Sequence, residues 1–428
     1  MSKEIKVDYL ARVEGEGALD IRLRGGKVEF LQLKIFEPPR FFEAFLEGRS
    51  YLEVPDITAR ICGICPVAYQ MSSARAMEKI VGIDVPEDVK RVRRLLYLGE
   101  WIESHTLHVY MLHAPDFLGY ESALEMVKDH ADLVKAALRL KRWGNRIMEV
   151  LGGRSVHPVS PRVGGFHRCP KKEDLEPLLS EVADVRRTAM DAIGWVSGLN
   201  FPDLRREVEY VALRNDKEYA IIEGRIRSTG DVDAPEGEFD KIFVESQVPY
   251  STALRYSMVN GRPYVVGPQA RVNLNHDKLA PEVQDKAKEA GISVPIENPY
   301  MSIVARVLEV AHSVVEAEEV IRSYRQPREP YVKAEPRAGE GAAITEAPRG
   351  MLFHKYVIDE RGTVKKANIV SPTAQNQTSM ELDLLELAPK LAEMTTERAT
   401  ALCEQTVRNY DPCISCSAHF LKLHLASD

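Results

Sequence analysis

The chain has 428 residues, of which 44% are hydrophobic and 28% charged, the proportions of a soluble globular protein. Its 57 basic and 64 acidic side chains give a net charge of −7, which argues against a nucleic-acid-binding surface. Six cysteines are few for a disulfide scaffold, the first residues are too polar for a signal peptide, and no apolar run approaches the ~18 residues of a membrane span. We therefore expect a cytoplasmic protein.

The first predicted elements are strands. Residues 5–36 alternate apolar and polar side chains around a Gly-Gly turn, which predicts a small N-terminal antiparallel sheet. A short helix is then predicted over residues 40–45, where one acidic residue stands among three aromatic ones. Residues 66–81 contain no helix breaker beyond the first position and should also be helical.

Helical periodicity predicts four long helices, and helices of this length can pack as a bundle. They cover residues 86–113, 121–151, 172–198 and 299–325. The first of them ends in three histidines, of which His105 and His108 share a face. Buried or hydrogen-bonded core positions account for such histidines better than a metal pair does.

The remaining stretches predict smaller elements. Residues 152–166 are a glycine-rich connection without the spacing of a nucleotide-binding loop. Short strands and turns over 205–275 predict a peripheral α/β insertion, and the prolines and glycines of 326–345 predict an irregular connection. A hairpin is predicted over 351–370, followed by helices over 379–395 and 397–409.

Two Cys-x-x-Cys pairs stand near opposite ends of the chain, Cys62 with Cys65 and Cys413 with Cys416. Four thiolates suit a thiophilic transition metal, and a metal shared by both pairs would tie the two termini together inside the core. From the spacing alone, a structural zinc site is the leading interpretation. Disulfides and a thioredoxin-like redox pair are the alternatives.

The residues around these cysteines resemble those of a known family. Residues 60–66 (RICGICP) and 411–419 (DPCISCSAH) are similar to the two metal-binding motifs of the large, catalytic subunit of nickel–iron hydrogenases. Residues 12–16, 346–350 and 369–376 match further segments of that family. The resemblance runs from about residue 12 to the C-terminus and is greatest to the cytoplasmic archaeal type called sulfhydrogenase.

The resemblance implies both a fold and a reaction. The fold would be mainly α with peripheral α+β elements, a long-helix bundle at its core and the metal site buried between the N- and C-terminal segments. The reaction would be the reversible oxidation of H₂ to protons and electrons. All four cysteines would bind nickel, and the second cysteine of each pair would also bridge to an iron that carries carbon monoxide and cyanide. Glu14 would relay the proton from Cys413, and Arg349 and Thr373 would donate hydrogen bonds to the iron's ligands.

A second metal site is implied close to the first. Glu43, His419 and the backbone carbonyl of Ile369 match the family's magnesium (or iron) site, and hard oxygen ligands suit such an ion. This chain has Tyr69 where the family usually has a histidine, four residues after the second cysteine.

The resemblance also implies partners. Once four cysteines are assigned to nickel, Cys169 and Cys403 are too few for an iron–sulfur cluster, so an iron–sulfur small subunit is required. Further flavin or iron–sulfur subunits would pass electrons to NADP(H) or another soluble carrier. A maturation protease would remove residues 420–428 and leave 1–419 as a single catalytic domain. The rival interpretations are a non-catalytic scaffold with structural zinc and a complex-I-like electron-transfer subunit, although the four cysteines argue against the latter.

Overall fold

The fold consists of long helices and several small sheets. The computed structural model describes residues 2–38 and 40–418, and about half of the chain is helical. The helices are α1 (Phe42–Leu46), α2 (Val54–Thr58), α3 (Pro66–Val81), α4 (Glu87–Thr106), α5 (Ala114–Leu118), α6 (Ala123–Gly152), α7 (Lys172–Ser197), α8 (Phe239–Ile242), α9 (Pro268–Asn275), α10 (Pro281–Glu289), α11 (Ser302–Arg322), α12 (Pro372–Glu386), α13 (Ala388–Glu393), α14 (Thr396–Arg408) and α15 (Ile414–Ser417). The strands are β1 (Ser2–Val7), β2 (Gly17–Arg24), β3 (Lys27–Ile35), β4 (Pro161–Arg162), β5 (Gly165–Phe166), β6 (Glu209–Arg214), β7 (Arg225–Ser228), β8 (Asp233–Ala234), β9 (Phe243–Ser246), β10 (Arg255–Met258), β11 (Tyr264–Val265), β12 (Gly339–Ala347), β13 (Gly350–Ile358) and β14 (Val364–Val370).

The N-terminal sheet forms as its alternating pattern predicts. β1, β2 and β3 pair antiparallel in that order. Leu19, Ile21 and Leu23 of β2 are buried, whereas the residues between them are more exposed. β1 packs against α14 and β3 packs against α12, so this sheet and the C-terminal helices share one apolar cluster.

The four long helices α4, α6, α7 and α11 form close to their predicted positions. α4 and α7 each pack against both α6 and α11. α4 continues into a π-helical segment, Leu107–His113, and the three histidines at this end are buried. His105 Nε2 lies 2.9 Å from Glu309 Oε2, and His108 Nε2 lies 2.8 Å from the Arg408 carbonyl oxygen, so both have the core roles that we expected. Over the described ranges, no helix has both the length and the apolarity needed to cross a membrane.

The prediction of an irregular connection over 326–345 is wrong for its final part. Residues 339–345 belong to β12, which pairs with β13 and makes the predicted hairpin part of a three-stranded antiparallel sheet. β12 lies directly on α3, where a Cβ at Gly341 would be 2.5 Å from Ile80 Cγ1 and 2.8 Å from the Ala76 carbonyl oxygen. The glycine therefore reflects close packing of strand on helix rather than a loop.

The stretch 205–275 supplies interior as well as peripheral elements. β6 is buried along almost its whole length, and α9 places Arg271 in the core at 0% exposure. Arg271 forms ion pairs with Glu309 of α11 and Glu346 of β12, and its guanidinium lies 4.3 Å from the ring centroid of Trp101 in α4. This network joins the stretch to α4, α11 and the β12–β14 sheet.

The N-terminal region and the last described segment meet at the cysteine pairs. α3 starts directly after Cys65, α15 starts directly after Cys413, and Cys413 forms an isolated parallel β-bridge with Glu14. None of the four cysteines is more than 5% exposed. The cysteines therefore lie buried between the N-terminal region and the last described segment.

Candidate metal centre

The four cysteines are buried in the interior, and three of their thiols form a close group. Cys413 Sγ is 2.8 Å from Cys416 Sγ and 3.5 Å from Cys62 Sγ, and these three sulfurs all lie within 4.8 Å of one another. The Cys65 thiol is buried nearby but is not one of these three, and all four residues are free thiols rather than disulfides. The fold thus joins two pairs that stand 351 positions apart into one potential ligand set.

Short turns before two helices hold these thiols. The amides of Ile64 and Cys65 donate hydrogen bonds to Cys62 Sγ, at 3.3 and 3.4 Å, just before the first turn of α3. The Cys416 amide donates to the Cys413 carbonyl oxygen at 3.2 Å. Backbone amides at the start of a helix favour a nearby anion, which suits thiolates.

The electrostatics of the cluster favour a bound cation. Hydrogen bonds from Cys413 and Cys416 lower the pKa of Cys62, whereas burial raises the pKa values of Cys413 and Cys416 above their usual range. Burial in the protein alone therefore opposes ionisation of Cys413 and Cys416. A divalent transition metal supplies the positive charge that lets these thiols ionise, and nickel accepts soft sulfur donors.

Glu14 contacts the cluster directly. Its Oε2 accepts hydrogen bonds from the Cys413 thiol at 3.0 Å and the Ser415 amide at 3.2 Å, and its carbonyl oxygen accepts the Ile414 amide at 2.9 Å. Gly15 has a φ of +88°, and a Cβ there would lie 2.8 Å from Ile414 Cβ, so glycine permits this close approach. The half-buried Glu14 side chain touches the cluster and is also partly accessible to solvent.

Arg349 is held beside the cluster by Asp411. The Arg349 Nε donates to the Asp411 carbonyl oxygen at 2.6 Å, and Nη2 donates to Asp411 Oδ1 at 3.0 Å. Burial alone would lower the pKa of Arg349, but the Asp411 carboxylate and the cluster sulfurs raise it above its ordinary value. The buried Nη1 has no hydrogen-bond partner within residues 2–38 and 40–418, so this donor is available to an anionic ligand.

Thr373 also touches the cluster, as an acceptor. α12 begins at Pro372, earlier than the predicted residue 379, because Ser371 caps it by accepting the Ala374 amide at 3.3 Å. This start places Thr373 in the first turn, where its Oγ1 accepts the Cys413 amide at 3.0 Å. The hydroxyl keeps its own hydrogen, which the predicted donor role requires.

A cavity of about 530 Å³ adjoins the cluster and is lined by Glu43, Ile369, Cys416 and Ala418. The Ile369 amide donates to Glu43 Oε1 at 2.7 Å. Two of the three residues predicted for the second metal site therefore lie together, through the Ile369 amide rather than its carbonyl. The third, His419, falls outside the described residues.

Sequence reasoning missed the roles of three residues near the cluster. Asp411 fixes Arg349, and Arg40 donates to one backbone carbonyl in each cysteine segment, at 2.8 and 2.5 Å. Glu100 is fully buried and accepts two amides in the first turn of α3, at 2.6 and 3.1 Å. Asp411 is the first residue of the motif 411–419, so the sequence could have indicated its role. Glu100 lies in an ordinary helical pattern that gives none.

Comparison with known proteins decides the family. The family described as nickel-dependent hydrogenase matches residues 40–137 and 236–419 of this chain. The chain belongs to the nickel-dependent hydrogenase family. Two relatives of this hydrogenase are alpha subunits from Pyrococcus furiosus. Sulfhydrogenase 2 subunit alpha is 37% identical over 98% of this chain and 100% of the relative, and sulfhydrogenase 1 subunit alpha is 33% identical over 98% of each.

A solved structure supports the same assignment. The hydrogenase chain is similar to an NAD⁺-reducing [NiFe]-hydrogenase in the H₂-reduced state, with a TM-score of 0.88 and 25% identity over 97% of this chain and 99% of the other. The family resemblance and the enzyme class expected from the sequence are therefore confirmed: the chain is a large subunit of a nickel–iron hydrogenase, an oxidoreductase.

The residues of this hydrogenase fit a nickel–iron centre. Four buried thiols provide the soft donors that nickel and iron accept, and the unpaired Arg349 Nη1 provides a donor for an anionic iron ligand. The family assignment also replaces the zinc-scaffold and complex-I-like interpretations of the two cysteine pairs.

Proposed function

We propose that this subunit catalyses the reversible, heterolytic oxidation of H₂ to protons and electrons at its four-cysteine cluster. One observation carries the proposal: Cys413 Sγ and Glu14 Oε2 are 3.0 Å apart within a group of buried thiols. H₂ is apolar and very weakly acidic, so its cleavage needs a soft metal that polarises it and an adjacent base that takes the proton.

The proton follows a short route through this chain's own residues. A nickel–iron centre bound by Cys62, Cys65, Cys413 and Cys416 supplies the Lewis acidity and the redox capacity that side chains lack. The Cys413 sulfur accepts the proton and passes it along its 3.0 Å hydrogen bond to Glu14. The half-buried Glu14 carries the proton away from the interior, and the same steps run backwards when H₂ is formed.

Arg349 and Thr373 orient the ligands of the iron in this proposal. Two hydrogen bonds to Asp411 fix the plane of the Arg349 guanidinium, and Nη1 donates to an anionic ligand such as cyanide. The Thr373 hydroxyl donates in the same way. Carbon monoxide and cyanide come from separate maturation proteins, because no group in this chain makes them.

We also propose that Glu43, the Ile369 carbonyl and His419 hold a magnesium (or iron(II)) ion. The support is the 2.7 Å contact between the Glu43 carboxylate and the Ile369 amide at the wall of the cavity beside Cys416. A carboxylate and a carbonyl are oxygen ligands of the kind that magnesium prefers. Ala418 lines the same cavity, and His419 follows it in the sequence.

Electrons leave through partner subunits in this proposal. Cys169 and Cys403 are the two cysteines outside the cluster, and an iron–sulfur cluster with cysteine ligands takes four. An iron–sulfur small subunit therefore receives the electrons, and further flavin or iron–sulfur subunits pass them to NADP(H) or another soluble carrier in the cytoplasm. The names of the relatives, two sulfhydrogenase subunits and an NAD⁺-reducing hydrogenase, support a multi-subunit assembly.

Residues 1–419 act as one catalytic domain in this proposal, and a maturation protease removes residues 420–428 after nickel is inserted. The support is the burial of the last described segment, since Ala418 is only 8% exposed and lies two positions after Cys416. A chain that continues from such a position needs space and hydrogen-bond partners for its backbone.

Metal analysis of the purified protein tests the proposed function. We expect nickel and iron in comparable amounts, together with H₂-dependent reduction of an artificial dye. Cys413→Ser should lose both nickel and activity. Cys403→Ser, which changes a buried cysteine outside the cluster, should keep both. Stoichiometric zinc without nickel in the parent protein would contradict the proposal.

A further inference from the structure

Arg40 joins the two cysteine segments through a single nitrogen. Its Nη2 donates to the Ile61 carbonyl oxygen at 2.8 Å and to the Ser415 carbonyl oxygen at 2.5 Å. These carbonyls belong to the residues directly before Cys62 and Cys416. Because both oxygens accept from one nitrogen, they lie no further apart than about two hydrogen-bond lengths.

The other direct hydrogen bonds between the two segments use cysteine sulfurs. Over the described residues, Cys62 Sγ meets Cys413 Sγ at 3.5 Å, and the Cys416 thiol meets the Ile61 carbonyl oxygen at 3.8 Å. A bound metal displaces the protons of its thiol ligands and takes up their lone pairs. Both contacts therefore change when the site is loaded, whereas Arg40 binds backbone oxygens that are not among the proposed ligands.

The guanidinium of Arg40 is held from outside both cysteine segments. It lies 5.5 Å from the ring centroid of Phe42 at the start of α1, within the range of a cation–π contact. α1 packs against β14, where Glu43 accepts the Ile369 amide at 2.7 Å. Arg40 thus ties both cysteine segments to a third element that packs separately from them.

We propose that Arg40 is a positioning residue of the metal centre, which keeps the two cysteine pairs at the separation that a shared metal needs by holding together the carbonyls before Cys62 and Cys416. This inference rests on the proposed role of the four cysteines as metal ligands. Hydrogen bonds from a charged donor are roughly twice as strong as those between neutral groups, so a single guanidinium can hold two backbone segments. Arg40 itself does not bind the metal.

Arg40→Met tests this role on the assembled holoenzyme. Methionine keeps an unbranched apolar stem beside Phe42 but cannot donate a hydrogen bond. We expect nickel to be held roughly 10–100-fold more weakly, the range for residues that support metal ligands, as measured by its release to a chelator. The nickel that remains should give an electron paramagnetic resonance signal with g values shifted from those of the parent.

Arg40→Lys is the rescue variant. Its ammonium group has three N–H donors and can serve both carbonyls, so nickel retention and the g values should return close to those of the parent. Arg214→Met is the matched control. Arg214 is also half-buried and donates from Nη1 to the Leu274 carbonyl oxygen, a link between distant segments away from the cysteines. This control should leave nickel retention and the signal unchanged.

The outcomes separate this inference from the proposed function. A parent without nickel contradicts the proposed function itself. A nickel-containing parent whose retention and g values are matched by those of Arg40→Met overturns the role of Arg40 alone. Equal weakening in Arg40→Met and Arg214→Met also overturns it, since the effect is then general destabilisation.

The lysine variant decides the remaining cases. If Arg40→Met does not fold, parental nickel retention and g values in Arg40→Lys support the positioning role. A folded Arg40→Lys protein that releases nickel much faster than the parent overturns it, because two hydrogen bonds from a cation are then not what the centre needs. If neither variant folds, Arg40 serves the whole fold rather than the metal centre, and the proposal fails.

Discussion

Glu14 and Cys413 are 399 positions apart in the chain, yet Glu14 Oε2 lies 3.0 Å from Cys413 Sγ. A parallel β-bridge joins the same two residues through their backbones, so the contact does not depend on side-chain placement alone. The arrangement sets a partly solvent-accessible carboxylate against a buried thiol, as a proton exit from the cluster requires.

Glu14→Gln tests this exit. Glutamine preserves the size and the hydrogen-bonding capacity of the side chain but cannot carry a proton. We expect a protein with normal nickel content that has lost H₂ turnover and H/D exchange. Glu16→Gln, an exposed change two residues further on, should behave like the parent. Exchange at the parental rate in Glu14→Gln would refute the relay role, and loss of nickel would show that Glu14 is structural.

Arg349→Lys tests the fixed donor beside the cluster. In the parent, two donors of the planar guanidinium pair with Asp411 while Nη1 has no partner among the described residues. Lysine keeps the positive charge but loses this planar set of donors. Activity should fall by roughly 10²–10³, the scale for loss of a preorganised electrostatic group, while the metal content survives. Arg75→Lys alters a buried arginine paired with Glu236 and should change stability without a comparable loss of activity per nickel. Activity within about a factor of two of the parent in Arg349→Lys would make Arg349 a packing residue.

Glu43→Gln tests the second metal site. The amide can still accept a hydrogen bond from the Ile369 backbone but lacks the charge that binds a hard cation. Magnesium affinity should fall by at least the roughly 10–100-fold known for residues that only support a metal ligand, as measured by metal analysis after dialysis. Glu47→Gln, at the wall of the same cavity, is the control and should retain magnesium. Equal magnesium contents in the two variants would remove Glu43 from the ligand set.

The elements that the sequence predicts well are those whose side-chain period is unmistakable. The N-terminal sheet and helices α4, α6, α7 and α11 follow from alternation or from helical spacing. The start of β12 could not be predicted, because the glycine that suggested a loop is required by the contact with Ile80, far away in the chain.

In the candidate site, too, some features follow from the sequence and others do not. The motifs name the cysteines and Glu14, and the structure brings these residues together. The partner of Arg349 and the amides capped by Glu100 depend on which buried polar groups meet after folding. Residue spacing cannot predict these hydrogen bonds, because they join elements that are distant in the chain.

Glu346 should give stability a pH dependence of unusual sign. Burial raises the pKa of Glu346 from an ordinary 4.5 to about 7, although Arg271 and the Leu213 amide oppose the shift. Between these two values the native state binds a proton that the unfolded state has released, so the group's contribution to the free energy of unfolding falls as pH rises. The total change is at most about 3 kcal/mol.

Denaturation of the parent and of Glu346→Gln at about pH 5 and about pH 8 measures this effect. The free energy of unfolding of the parent relative to that of the variant should be smaller at the higher pH. Glu340→Gln, an exposed change on the same strand, should show no such trend. Parallel pH profiles for the parent and Glu346→Gln would contradict the assignment.

Intact-mass measurement tests the removal of the C-terminal residues. Active enzyme should contain a chain that ends at His419, and cells starved of nickel should accumulate the full 428 residues. The matched comparison is Cys413→Ser, which should stay full-length because it cannot take up nickel. Active enzyme that retains Ser427 and Asp428 would end the processing hypothesis.

The separation of the two cysteine pairs sets an order of events during protein synthesis. Cys62 leaves the ribosome 351 residues before Cys413, an interval of roughly 20–70 s at the usual 5–20 residues per second. Throughout that time the first pair has only half of a binding site, and it is exposed to every other thiophilic ion in the cell. The four thiols are all present only after translation of residue 416, so no metal can be bound by both pairs before that point.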